Sequence, residues 1–311
     1  MKIRKYVAGA LAIIMLVSLF GCGTRNNNDD IWKISQGDPN IIVAVVDTGV
    51  DTSVSLLQGK IVNNPSEIAD NGKDDDENGY IDDTISWDFY NSDNSIYDER
   101  LYDYHGTYIC TNIANLVPNV SILPVKFLNG TKGTVKDAVE AVKYAIAKGA
   151  KVVNCSWNFE TYSKELFDVM RENKDVIFVC AAGNSNINLD ENKLYPCSYN
   201  LDNVISVGAV DANGNIYDTS GYGNAVDIMA PGVDVEVTIP NDEITTANGT
   251  SIAASFVTAT VALMLAVNPQ ASPAEIKATL VASATPAEAL QGKCAANGYI
   301  DIKQAIMCCQ Q

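Results

Sequence analysis

Histidine is almost absent: the 311-residue chain holds one, His105. That excludes a metal site built on two histidines within one chain. Eight cysteines are present but no C-x-x-C pair, so no zinc site is legible. Basic residues are scarce, 21 against 38 acidic, for a net charge of −17. Such a surface repels nucleic acid and anionic headgroups, so no nucleic-acid partner is expected. Low-complexity tracts and internal repeats are also lacking. What is present is an apolar content of 47%, that of a globular protein, and a length sufficient for one large core or two small ones.

The first 21 residues read as a targeting segment. Lys2, Arg4 and Lys5 form a positive start, and Val7 to Phe20 is a weakly polar to apolar run too short for an ordinary membrane span. It ends in Leu19-Phe20-Gly21-Cys22, which resembles a bacterial lipobox whose cysteine becomes the lipid-modified first residue. An ordinary signal peptide with an incidental Cys22 is the alternative. Removing residues 1–21 takes three basic and no acidic residues and leaves a net charge of −20. Membrane attachment would therefore come from lipid on Cys22, outside the cytoplasm, with residues 22–30 as a polar tether. Cys110, Cys155 and Cys180 lie in apolar stretches and read as small buried residues, and Cys197 lies in a loop. Cys294, Cys308 and Cys309 cluster near the end, where a disulfide from Cys294 to Cys308 or Cys309 is expected in an oxidising setting.

From residue 31 to 311 strands and helices alternate. Ile41 to Asp47 is a continuous apolar run ending in an acid, as suits a strand buried on both faces of a parallel sheet. Val120–Phe127, Lys151–Cys155, Val176–Cys180 and Val204–Val210 repeat the pattern, and Val226–Met229 is short and extended. Helices are expected over Thr134–Lys148, Ser163–Asn173, Ser251–Val267 and from Ser272 to about Ser283, the last opened by Ser272-Pro273-Ala274-Glu275. The rhythm predicts one α/β domain of three layers, a central mostly parallel sheet with helices on both faces. Residues 63–103 break it as a polar, acidic excursion.

Four residues stand at element ends: Asp47 closing the first strand, His105 at a helix start, Asn184 after a strand, and Ser251 opening the most apolar helix. Acyl transfer needs a hydroxyl nucleophile, a base for its proton, an acid to orient that base, and a donor for the oxyanion. One of each is present. No G-x-S-x-G elbow surrounds Ser251, which argues against a lipid or carbohydrate esterase.

Val43-Ala44-Val45-Val46-Asp47-Thr48-Gly49-Val50-Asp51, His105-Gly106-Thr107, Ala181-Ala182-Gly183-Asn184 and Gly249-Thr250-Ser251-Ile252-Ala253-Ala254 occur in that order, with Ala230-Pro231-Gly232-Val233-Asp234 before the last. Together they resemble the motifs of the subtilisin-like serine peptidases, the subtilases, from about Ile31 to Thr285. The resemblance implies a subtilisin-like fold and a serine endopeptidase acting on peptides or proteins without a cofactor for its chemistry. Ser251 would be nucleophile, His105 general base, Asp47 its orienting acid, and Asn184 with the Ser251 N–H the oxyanion donors. It also implies substrate-binding segments at Ser156-Trp157-Asn158 and at Lys132-Gly133-Thr134, the latter as a facing edge strand.

Departures bear on this. Tyr108 stands where the family has a second histidine, and Ser255-Phe256 where it has Pro-His, so the central helix should straighten or shift in register. Ser156-Trp157-Asn158-Phe159 replaces Ser-Leu-Gly-Gly, whose glycines open the primary pocket; Trp157 and Phe159 are expected to narrow or reshape it. An inactive, peptide-binding member and a processing peptidase for one precursor are the alternatives. No inhibitory prodomain is visible between the tether and Ile31-Trp32, so folding without one, or with a separate helper, is expected. Within the excursion, Asp74, Asp76, Asn78 and Asp82 offer oxygens at positions one, three, five and nine of an EF-hand-like loop, with Gly79 at six. Ile85 stands where the bidentate Glu belongs. A structural Ca2+ and a solvated acidic loop are both open.

Overall fold

A computed structural model describes residues 28–310. The targeting segment and Cys22 lie outside the described residues. The chain opens with α1 (Asp29–Trp32), β1 (Ile42–Asp47), α2 (Arg100–Leu116), β2 (Ser121–Lys126), α3 (Val135–Ala147) and β3 (Val152–Cys155). It continues through α4 (Lys164–Glu172), β4 (Ile177–Ala181), β5 (Val204–Val210), β6 (Ile228–Pro231), β7 (Val235–Ile239) and β8 (Glu243–Ala247). It ends with α5 (Thr250–Val267), α6 (Pro273–Ala282), β9 (Thr285–Pro286), β10 (Gly298–Tyr299) and α7 (Ile302–Cys309).

Eight strands form one sheet in the order β2-β1-β3-β4-β5-β6-β10-β9, parallel up to β10, with β9 antiparallel at the edge. The strand sequences explain this. β1, β3, β4 and β5 are runs of Val, Ile and Ala with nearly every residue buried, the pattern of strands covered on both faces. The two cores lie on opposite faces. Val43, Val45, Val179 and Val207 pack under α2, α5, α6 and α7, and Ala44, Val46, Val153 and Phe178 under α3 and α4. The protein is thus a single-domain, three-layer α/β fold. α5 has the length and apolar composition of a membrane span, but 78% of it is buried against the sheet.

The connection β1-α2-β2 runs over one face and β2-α3-β3 returns over the other, so the order reverses between β1 and β3. Ligand crevices in open α/β sheets form outside the carboxyl ends of strands at such a switch point. Asp47 ends β1 there, and Ser156 follows β3 there.

Several sequence expectations need adjusting. α2 begins at Arg100, so His105 sits in its second turn, not at its start. The excursion correspondingly ends near residue 99, and it is no mere solvent loop. Asp83, Ser86 and Asp88 are fully buried, and Tyr80 and Phe89 pack edge-on against Tyr144 of α3. Ser272 and Glu275 form the expected capping box on α6. Thr134 makes the same arrangement with Asp137 on α3, and Asn129 and Lys132 exchange backbone hydrogen bonds of 2.8 and 3.0 Å. Lys132 thus closes a turn with Asn129, and Thr134, in extended conformation, caps α3. The cysteines from Cys110 to Cys309 are all free. Cys294 reaches the Gly298 carbonyl and Cys309 the Met264 carbonyl, so the expected disulfide is not formed.

α1 packs near the far end of α2. Asn28 Nδ2 donates to Asn115 O (3.4 Å) and Trp32 Nε1 to Leu116 O (3.0 Å).

Candidate active site

Two glycines bring the site together. A Cβ on Gly106 would lie 2.6 Å from Thr48 O and 2.7 Å from Gly49 O, so only glycine lets α2 rest on the loop after β1. Gly249 has φ +137°, which lets the chain turn sharply into α5 beside the Asn184 carboxamide.

The first contact carries His105 onto Asp47. Nδ1 of the ring lies 2.6 Å from Asp47 Oδ1, which also accepts the Thr48 N–H at 2.7 Å. An Nδ1–H donor there leaves Nε2 as the free acceptor of the ring. Asp47 is wholly buried, and its Oδ2 has no partner. Tyr108 packs on the His105 ring with centroids 4.8 Å apart. Burial, then the Asp47 carboxylate, hold the Tyr108 phenol well above its ordinary value, so it stays neutral. Burial likewise pushes the Cys110 thiol far up, which removes it as a nucleophile.

The second contact sets Asn184 against the first turn of α5. Its Oδ1 accepts the Thr250 N–H at 2.9 Å, which fixes the amide orientation and leaves Nδ2 free of protein partners. The Thr250 hydroxyl in turn accepts the Gly183 N–H at 3.1 Å. The N–H groups of a first helical turn have no acceptor within the helix, so the Ser251 N–H is a second free donor. Ser251 Oγ donates to Ser156 O (3.2 Å), and Ser156 Oγ donates back to Ser251 O (3.1 Å). The site thus has two parts: a buried carboxylate joined to an imidazole, and a helix-start hydroxyl with two donors beside it.

The Subtilase family profile matches residues 38–299. The chain belongs to the subtilase family. Among curated proteins, this subtilase is 34% identical to a thermophilic serine proteinase of Bacillus sp. (strain AK1), over 78% of this chain and 56% of that one. It is 30% identical to subtilisin DY of Bacillus licheniformis, over 79% of this chain and 84% of that one. Of solved structures, the prenylagaramide maturation protease PagA superposes with a TM-score of 0.69 at 26% identity, covering 91% of this chain and 98% of that one.

The family's departures find their places. In α5, Ser255 at the usual proline position is buried, its hydroxyl donating to Ile252 O (2.6 Å) and accepting from Asn112 Nδ2 of α2 (2.6 Å). The helix runs unbroken from Thr250 to Val267. Trp157 turns into the core, packing edge-on against Phe127 at 5.0 Å and donating to Val46 O at 2.8 Å.

The subtilase also has a polar knot that sequence reasoning missed. Lys126, across the ladder from Asp47, is 1% exposed. Its ammonium meets the carboxylates of Asp98, Asp103 (3.1 Å) and Asp88 (3.4 Å). Asp103 in turn accepts the N–H groups of Gly49 (3.0 Å) and Asp98 (2.7 Å). The available signal was a lysine inside an apolar strand, since a buried ammonium demands partners.

In the acidic loop the expected set does not assemble. Asp74 accepts the N–H groups of Asn78 and Gly79, Asp82 those of Asn71 and Gly72, and Asn78 Oδ1 that of Tyr80. These oxygens stabilise the loop's own turns. The oxygens within 4.8 Å of one another belong to Glu67, Asp76 and Asp83. Glu67 Oε1 accepts the N–H groups of Asp75 and Asp76, while its buried Oε2 is unpartnered. The Lys148 ammonium lies 2.9 Å from Asp83 Oδ2 and 3.6 Å from Asp76 Oδ2, so it already faces two of these three carboxylates. An all-oxygen donor set with one orphaned carboxylate oxygen fits a hard cation.

Proposed function

We propose that this subtilase is a serine endopeptidase in which Ser251 attacks a peptide carbonyl. His105 takes its proton through Nε2 and returns it to the leaving amine. Asp47 holds the ring tautomer and stabilises the imidazolium that forms. Asn184 Nδ2 and the Ser251 N–H receive the oxyanion. The observation that carries this reading is the 2.6 Å contact between His105 Nδ1 and Asp47 Oδ1, which turns the chain's one histidine into a base with a fixed acceptor nitrogen. The Ser251–Ser156 hydrogen bond is a resting arrangement that the hydroxyl leaves when substrate enters.

A fluorophosphonate is expected to label the folded protein, with the label found on Ser251 by mass spectrometry. A folded chain that takes no label and cleaves no peptide overturns the reading. Binding without hydrolysis is the weaker alternative. Of the residues that suggested it, Tyr108 packs on the His105 ring, Trp157 lies in the core, and Phe256 is partly buried against the core. The likeness to a maturation protease supports a narrower form, cleavage of a particular precursor peptide.

The same proposal places the enzyme outside the cytoplasm, held to the membrane by lipid on Cys22, with residues 22–30 as tether and 31–311 as catalytic domain. It rests on the charged start, apolar run and Leu19-Phe20-Gly21-Cys22 of the sequence. Glu67, Asp76 and Asp83 would hold a structural Ca2+, with no part in the chemistry. Calcium at about 100 times its Kd should then add about 2.7 kcal/mol of stability. The melting temperature should rise with Ca2+ in the parent and far less in Glu67→Gln. An unmoved parent would remove the ion from the proposal.

A further inference from the structure

Beside Ser251 two chain segments run out from neighbouring strands. Ser156–Phe159 follows β3, and Ala181–Asn184 completes and follows β4; Cys155 and Cys180 face each other across that ladder. The first segment touches the nucleophile through Ser156, and the second ends in Asn184. A peptide whose carbonyl sits between Ser251 and Asn184 directs the side chain on the acyl side of its scissile bond into the gap between these segments. In the family pattern this gap is kept open by glycine; here it is occupied.

The occupant is Asn158. Its Nδ2 crosses the gap to donate to Ala181 O at 2.7 Å and reaches Cys197 Sγ at 3.5 Å. Its Oδ1 lies 3.2 Å from where a Cβ of Gly183 would stand, and Leu194 Cδ1 lies 2.6 Å from the same point. Beyond it, Phe159 and Tyr195 exchange backbone hydrogen bonds of 2.7 and 2.8 Å, which tie the end of the first wall to the chain that follows the second. A side chain entering here would have to displace a carboxamide whose carbonyl partner would then lose its donor.

We propose that Asn158 is the specificity-determining residue of this enzyme, closing the primary pocket so that glycine and alanine are accepted before the scissile bond and leucine and phenylalanine are refused. The proposal rests on the serine peptidase reading above. Pocket volume acts through differential binding of the transition state, and even one methylene is worth about 10–200-fold in discrimination. The substrate class is therefore a peptide or protein segment with a small residue at the cleavage point.

The test uses peptides that differ only at the residue before the scissile bond, with fluorophosphonate labelling run in parallel. The parent should prefer alanine to phenylalanine by at least about 10-fold in kcat/KM. Asn158→Gly should raise the phenylalanine-to-alanine ratio by at least about 10-fold while labelling of Ser251 persists. A parent that cleaves after phenylalanine as readily as after alanine overturns the proposal and leaves the peptidase reading standing. So does a labelled Asn158→Gly with an unchanged ratio. If Asn158→Gly does not fold, the parent's ratio alone decides. A folded parent with neither label nor cleavage overturns both.

Discussion

Replacing Ser251 by alanine should lower kcat for peptide hydrolysis by about 10⁶-fold, with KM nearly unchanged and no fluorophosphonate incorporated. The magnitude comes from the triad of subtilisin, a member of this family, in which loss of the serine costs about as much as loss of all three residues. The physical reason is that, in the proposed mechanism, the hydroxyl, the ring and the carboxylate act as one unit. Without Oγ there is no covalent intermediate, and His105 and Asp47 have nothing to activate. A residual rate about 10³–10⁴ above water should survive, because Asn184 Nδ2 and the Ser251 N–H remain in place to receive an oxyanion. Asn184→Leu should cost less, about 10²–10³ in kcat, and should act on the variant as on the parent. Active-site titration and steady-state kinetics on the same preparation check this. A Ser251→Ala protein within 10-fold (about 1.4 kcal/mol) of the parent would move the nucleophile elsewhere in the chain.

Lys126→Met should be the most destabilising single substitution outside the cores, by about 3–5 kcal/mol. Methionine matches the volume, so the loss is electrostatic. Asp88 and Asp103 are fully buried and would keep their charge with no cation to face. That is a large share of a typical total of about 5–15 kcal/mol. The sign with pH follows from which state holds protons more tightly. In the parent, burial followed by a weaker opposing pull from Lys126 already holds the Asp88 carboxyl above its ordinary value. Removing the ammonium takes away that opposing pull and raises the folded-state value of the Asp88 carboxyl further above its unfolded one. The variant should therefore regain stability as pH falls through that raised value and be worst near and above neutrality. Urea unfolding of parent and variant at acidic and neutral pH measures both the size and the slope. A difference below about 1 kcal/mol at neutral pH would show that water reaches the knot.

The sheet and its two helical layers were readable because each is a local pattern, whereas Asp47, His105, Asn184 and Ser251 stood out only together, by the order of their motifs. Val43 to Asp47 reads as a doubly covered strand because it has no polar interruption, and Ser272 to Glu275 reads as a helix start because capping is settled within four residues. What escaped was decided by contacts distant in the chain. Lys126 finds Asp88, Asp98 and Asp103 from a different segment, and Glu67 meets Asp83 only when the excursion folds back. The EF-hand-like spacing misled because short Asp and Asn side chains serve their own turn amides as readily as an ion. Trp157 and Asn158 are adjacent and point to opposite faces, so which of them meets the gap depends on strand phase, which residue type does not reveal.

The contacts of Asn28 and Trp32 with the end of α2 also fix a direction. His105 lies in the second turn of that helix and Asn115 near its last residue, a separation of about 15 Å along the axis. Asn28 and Trp32 are therefore held at the end of α2 away from the imidazole.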